Sequence, residues 1–192
     1  DGRPATLDDA IETAAGILAN ANRPLIFGLG NSTCESQRAA ILLAEDIGGV
    51  IDTHTSMTHG ASKLGAQLVG KVTCTLGEVR NRGDLIMFWG SNPAESHPRH
   101  FTKYSLMPKG QFLPNGRKDR TAVIVDVRKT KSAKAAAIVI QIKPRADFEG
   151  LWTLRALANN MELNPAKVEA DSGVPLATWQ DLMNRMKRAK FG

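Results

Sequence analysis

Apolar and polar positions along this chain fall into blocks whose period switches repeatedly between that of a helix and that of a strand. In residues 6–20 Leu7, Ile11, Ala14, Ala15 and Leu18 share one helical stripe. Thr6 is placed to cap this helix, and Asp8 and Asp9 lie in its first turn, where unpaired backbone N–H groups favour negative charge. After the break at Pro24, residues 24–28 have the apolar density of a short buried strand. A second helix is expected over residues 35–47, ended by Gly48 and Gly49, followed by a short candidate strand at 50–52. Residues 54–70 mix glycines and polar groups around Leu64, Leu68 and Val69, which predicts an irregular excursion with one short helix.

Order returns in the second half. A turn or short helix is expected over residues 75–80. Leu85, Ile86, Met87, Phe88 and Trp89 then form a continuously apolar run between Gly83 and Gly90, the strongest strand signal in the chain. Residues 100–105 read as helical and 108–120 as a long solvent-facing connection, with further strands predicted at 122–127 and 138–142. Asp147 is expected to cap a helix over 148–158 whose Leu151, Trp152, Leu154 and Leu157 cover the sheet, and the last forty residues read as helical again. Strands separated by helices at these intervals predict a three-layer α/β/α fold around one mostly parallel sheet. The expected division is an α/β domain over residues 1–160 and a helical extension over 161–192, in a chain read as a fragment of a longer protein. In such a sheet the loops leaving the strand ends converge, which makes residues 28–32, 90–97 and 126–130 expected neighbours.

The 192 residues suffice for one substantial core, and 42% hydrophobic with 23% charged residues is the composition of a globular protein. The net charge of +6 is dispersed, with small basic clusters at 116–120, 128–134 and 186–190. No recognition-helix pattern, zinc-finger spacing or basic arm accompanies it, so nucleic acid is not the expected partner, and an anionic ligand or an acidic protein surface is. No apolar run approaches the roughly 20 residues that span a bilayer, so no membrane insertion is expected. With two cysteines, Cys34 and Cys74, a disulfide framework is not expected and a reducing cytoplasm is the simplest setting. Cys34 is expected to be a small buried residue.

Two loops carry the candidate chemistry. The first runs from Gly90 through Ser91, Asn92, Pro93, Glu95 and His97 to His100; glycine permits a chain reversal and proline stiffens it. It fits either the polar rim of a nucleotide-like ligand or an ordinary strand exit with a capped short helix. The second holds Asp126, Arg128 and Thr130, where an acid can accept from sugar hydroxyls or a guanine edge and a guanidinium can bind phosphate; a capped turn with an exposed arginine fits equally. Gly28 and Gly30 lack the third glycine of a dinucleotide fingerprint. Neither His54 with His59 nor His97 with His100 comes with the carboxylate of a zinc hydrolase signature, and the isolated cysteines form no iron–sulfur ligand set.

The segments CTLGEVRNRGDLIMFWGSNPAESHPRHFTKYSLMPKGQF, GRKDRTAVIVDVRKTKSA and IQIKPRADFEGLWTLRAL, in that order, resemble the B subunit of formylmethanofuran dehydrogenase, within the molybdopterin oxidoreductases. GLGNSTCESQRAA and THTSMTHG extend the resemblance over most of the chain. In catalytic relatives, the resemblance implies, two pterin guanine dinucleotides hold molybdenum or tungsten and carbon dioxide and formate are interconverted. Gly90, Ser91, Asn92, Glu95 and His97 would match a dinucleotide loop, and Asp126, Arg128 and Thr130 the guanosine-side loop. Arg145 stands where a cofactor-binding turn is expected to carry glycine, and Ala135 to Ala137 offer no carboxylate.

These departures resemble the B subunit of the bacterial formyltransferase/hydrolase complex. The resulting expectation is a non-redox structural subunit with no cofactor, metal or active site of its own. Its partners would be the hydrolase, transferase and other subunits, and a methanofuran-type carrier bound to the complex. The alternative is a catalytic dehydrogenase subunit with molybdopterin guanine dinucleotide. Phe101 to Met107 and the C-terminal helix with Trp179 fit either a partner surface or ordinary core packing.

Overall fold

In the computed structural model, which describes residues 2–192, the chain forms two compact units, Asp1–Val72 and Thr73–Gly192. The first contains α1 (Leu7–Ala19), β1 (Leu25–Gly28), α2 (Cys34–Asp46), β2 (Val50–Thr53), α3 (His54–Thr58) and α4 (Gly60–Val69). Thr6 caps α1 as expected, its hydroxyl accepting from the Asp9 N–H at 3.2 Å, and Thr33 caps α2 in the same way. β1 and β2 pair in parallel, Leu25 beside Val50 and Gly28 beside Thr53. The region read as an irregular excursion is mostly helical. Its glycines do not interrupt α4: Gly60 occupies the first position of the helix, Gly65 is carried inside it at the modest cost of an interior glycine, and Leu64 and Leu68 keep helical spacing.

The second unit contains α5 (Leu76–Arg82), β3 (Leu85–Trp89), α6 (Pro93–Ser96), a π-helical turn (Phe101–Ser105), β4 (Thr121–Asp126), β5 (Ile138–Gln141), α7 (Asp147–Ala158), α8 (Pro165–Ser172) and α9 (Leu176–Arg188). Short 3₁₀ turns at Gly116–Asp119 and Lys131–Ala135 flank β4. Thr75 and Glu78 form a reciprocal cap at the start of α5: the hydroxyl accepts from Glu78 N–H while the carboxylate accepts from Thr75 N–H at 2.7 Å. The Thr75 N–H and hydroxyl, both donating to the Glu78 carboxylate, hold its carboxyl below the ordinary range.

β3, β4 and β5 form a parallel sheet in that order, with β4 in the middle. Val123 and Val125 of β4 join Ile140, Leu154, Val168, Trp179 and Leu182 in the core that α7, α8 and α9 build on one face. On the other face Phe88 meets the rings of His100 and Phe101 edge-on at 5.6 and 5.4 Å. The four central residues of β4 are consequently buried on both sides. Residues 161–192 contribute α8 and α9 to this same core. Trp179 is fully buried there, which decides for core packing over a partner surface; a 13-residue helix with Trp179, Leu182 and Met183 on one stripe buries that stripe against the nearest sheet.

Gly150 is required by close approach: a Cβ on it would stand 2.9 Å from the Trp179 ring and 3.0 Å from that of Trp89, two rings stacked at 6.0 Å. Arg120, with 4% of its surface exposed, holds the other side of the unit together. Its guanidinium donates to the carbonyl oxygens of Val79, Gly83 and Ser105 through one terminal nitrogen and of Arg80 and Pro108 through the other. Carbonyls left over at the end of α5 and around the π-helical turn therefore share one cation.

The expected single sheet is two sheets. β1 pairs only with β2, and no ladder joins either to β3, β4 or β5 among the described residues. The exit at residues 28–32 therefore belongs to a different sheet from the exits at 90–97 and 126–130.

Candidate functional site

At the C-terminal ends of β3, β4 and β5 three loops are tied together by side chains. The Gly90 N–H donates to the Val125 carbonyl at 2.9 Å, which holds the start of the first loop against the end of β4. Gly90 has φ +56°, a turn that glycine makes without steric cost. Asn92 accepts from the Ser132 N–H at 3.2 Å and from its hydroxyl at 2.7 Å, and Ser132 in turn accepts from the Ala94 N–H at 3.0 Å. Ser132 is completely buried, so this junction is a fixed part of the loop pair. The third loop, after β5, joins at its far end, where the Trp89 indole N–H donates to the Asp147 carboxylate at 2.7 Å. Asp147 is the first residue of α7 and does not cap it; its carboxylate is taken up by Trp89 instead.

The structure brings the sequence-predicted residues of the second unit to this one end of the sheet, in different states. Ser91, Glu95, His97 and Arg128 are exposed, and Asn92 is half-buried. The Asn92 amide donates to Glu95, and the His97 ring nitrogen Nδ1 shares a hydrogen bond with Ser96 at 2.9 Å. Asp126 accepts from the Arg128 N–H at 3.3 Å, the turn-capping arrangement. Thr130 is buried, and its hydroxyl oxygen has no hydrogen-bond partner among the described residues. A buried hydroxyl without a partner is costly, and its position between these loops fits a ligand atom it would bond to. Arg145, on the third loop, has φ +68°, so an arginine holds the left-handed conformation that favours glycine, with its side chain exposed.

His100 is half-buried: its Nδ1 meets the Ser105 hydroxyl at 2.9 Å and its ring lies between Phe88 and Tyr104. Burial, and secondarily electrostatic repulsion from nearby His97, hold its imidazole below the ordinary histidine value of 6.5. Cys34 is exposed at the first turn of α2, contrary to the buried position expected of it, because α2 buries only Ala44, near its other end; Cys74 is exposed as well. No group of three or more His, Cys, Asp or Glu side chains stands close enough to hold a metal ion among the described residues.

The first unit has a crevice of its own that the spacing of glycines did not disclose. Gly28, Leu29 and Gly30 at the end of β1 face Asp52, Thr53 and His54 at the end of β2 around a cavity of about 260 Å³. Gln37 of α2 closes it by donating to the Leu29 carbonyl at 3.1 Å, and Leu29 itself has φ +62°. The signal that could have found it is an acid closing β2 some twenty residues after a glycine-rich exit from β1.

Along all of its length the chain is 42% identical to the B subunit of the tungsten-containing formylmethanofuran dehydrogenase 2 of Methanocaldococcus jannaschii and 40% identical to that of Methanococcus maripaludis. The chain is homologous to this B-subunit family. It spans 43% and 44% of those two relatives, less than half of each. The B subunit of the formyltransferase/hydrolase complex Fhc of Methylorubrum extorquens is 32% identical over 92 residues, 48% of the chain and 25% of that relative. The fold is shared with the crystal structure of the M. extorquens formyltransferase/hydrolase complex with methylofuran, at TM-score 0.59 and 22% identity over 98% of the chain and 48% of the solved one. No protein-family model matches. In the B-subunit family, then, this chain supplies α/β units with parallel sheets, and no helix among its described residues is long and apolar enough to cross a membrane.

Proposed function

We propose that this chain is the nucleotide-holding part of the B subunit of a formylmethanofuran dehydrogenase, and that the three loops at the end of the second sheet receive the guanosine end of a pterin dinucleotide. The observation that carries the reading is the junction of the first two loops through Asn92 and Ser132, with the unpartnered Thr130 hydroxyl beside it. Gly90 and Ser91 would bring backbone N–H groups and a hydroxyl to the phosphates. Asp126 would accept from the sugar or base, and Arg128 would offer a planar pair of N–H donors to an anion. Glu95 and His97 close the rim. The backbone at Arg145 keeps a glycine-like turn with its side chain exposed, so the arginine would leave the path of the third loop unchanged.

When bound, a tungsten- or molybdenum-bearing pterin supplies two-electron chemistry between carbon dioxide and formate. The residues of this chain bind and orient the nucleotide, and the metal ligands would come from elsewhere in the subunit. Whole-chain identity to two tungsten-containing dehydrogenase subunits, against half-chain identity to the formyltransferase/hydrolase subunit, supports this ordering of the alternatives.

The second reading is a non-redox B subunit of a formyltransferase/hydrolase complex. Such a complex moves a formyl group from formyl-tetrahydromethanopterin to a methanofuran-type carrier and releases formate, with hydrolase and transferase subunits as partners. The observation that favours it is the engagement of Asn92, Asp126 and Asp147 by groups of the protein itself, which leaves fewer free acceptors for a nucleotide. Metal and pterin analysis of the native complex separates the two. Stoichiometric tungsten or molybdenum with a guanine-containing pterin is the expected result, and a complex with formyl transfer activity but neither component would transfer the conclusion to the second reading.

A further inference from the structure

A groove between α7 and α8 uses none of the residues assigned above. Its volume is about 320 Å³, and Phe148, Trp152, Leu163 and Val168 give it apolar walls. Glu149 also lines it, and one oxygen of that carboxylate is buried without a hydrogen-bond partner among the described residues. The cation at the rim is already engaged: Lys167 binds Asp171 one helical turn along α8 at 2.8 Å and feels Glu149 only through space. Charges on the lining thus pair off except for Glu149.

The mouth of the groove is aromatic and open. Phe148 is 71% exposed and Trp152 44%, with their rings stacked at 6.2 Å, and Leu151 beside them is also exposed. Two exposed aromatics side by side on a helix are rare on a surface that meets only water, and they are the anatomy of an interaction hot spot. The same indole already accepts a cation, since the Arg155 guanidinium carbon lies 5.2 Å from its ring centre.

We propose that this groove receives an arginine side chain from a partner protein. The aliphatic stem would cover Leu163 and Val168, the guanidinium would meet the aromatic wall, and its N–H groups would give the Glu149 oxygen the donors it lacks. Arginine suits the site better than lysine because a planar fork can stack and donate at once. An acidic or purely apolar side chain would leave the carboxylate unpaired and gain nothing from the rings' cation affinity.

The test uses the chain with its tryptophan indoles labelled for NMR and n-butylguanidinium as probe, with butyrate as control. A saturable shift of the Trp152 indole signal at millimolar probe is expected, with Trp89 and Trp179 as internal references and no response to butyrate. Binding should weaken about tenfold in Glu149→Gln, which is isosteric, and about threefold in Phe148→Ala, which alters a side chain too exposed to govern folding. In the native complex the same titration should leave Trp152 unshifted, because the partner's arginine fills the groove. No saturable shift, an equal response to butyrate, or undiminished binding in Glu149→Gln would overturn the site. A shift of the Trp152 signal in the native complex would overturn the partner as its occupant.

Discussion

In the first unit β1 leaves Leu25 and Phe27 exposed and half-buries the residues between and after them, whereas in the second unit β4 buries Ala122, Val123, Ile124 and Val125 almost completely. Both strands sit in parallel pairs joined through helices. The difference lies in what covers them. β4 is central, with β3 and β5 on its edges and α7, α8 and α9 over one face; β1 has one neighbour, and α1 beside it in sequence contributes no buried residue. Of the hydrophobic residues that are buried, Ala44 alone lies in the first unit among the described residues. Periodicity therefore places an element, and only a second layer turns its apolar stripe into stability. Hydrogen exchange read separately from the amides of β1 and β4 measures this contrast, and the substitutions below change it by decreasing amounts.

Arg120→Met is expected to have the largest effect. Five carbonyls lose their donor, so the second unit should lose about 3 to 5 kcal/mol and most of the protection of β4, while β1 is unchanged. Gly150→Ala should cost the second unit about 1 to 3 kcal/mol by pushing Trp89 and Trp179 apart, with a change in tryptophan fluorescence as a second readout. Arg145→Gly acts in the opposite direction. Relief of a left-handed arginine should exceed the added freedom of the unfolded chain and stabilise the second unit by about 0.5 to 1 kcal/mol, measured by denaturant unfolding.

The smallest effect is a pH dependence. His100 binds a proton less readily in the folded protein than at its ordinary value of 6.5, so its contribution is fully present above that pH and is lost as pH falls through the folded value. The unfolding free energy of the second unit should decline as pH is lowered from about 7 to about 5, and His100→Asn should flatten that slope.

How much of this was legible in the sequence follows from which interactions are local. The runs from Leu85 to Trp89 and from Ala122 to Val125 mark their strands directly, and Thr6 announces its helix because capping involves residues three apart. The two strand-exit loops are also visible, since glycine, proline and short polar residues mark a turn wherever it ends up. What stays hidden depends on distant partners. Nothing near Arg120 in sequence indicates five carbonyls from two other segments, and Asp147 has the look of a helix cap because Trp89, 58 residues away, is its partner only in space. Residues 28–32 read as a third converging exit only while one sheet is assumed. With two sheets, the loop after β5 takes that place.

The central claim is that the loops of the second sheet, and not the crevice of the first unit, hold the nucleotide. The direct measurement is the pterin and metal content of native complexes carrying Asp126→Ala with Arg128→Ala on one side and Gln37→Ala with His54→Ala on the other. The account predicts that the first pair, which alters partly or fully exposed side chains and leaves the core intact, strips most of the bound pterin while the second retains it. Retention by the first pair with loss in the second would contradict it.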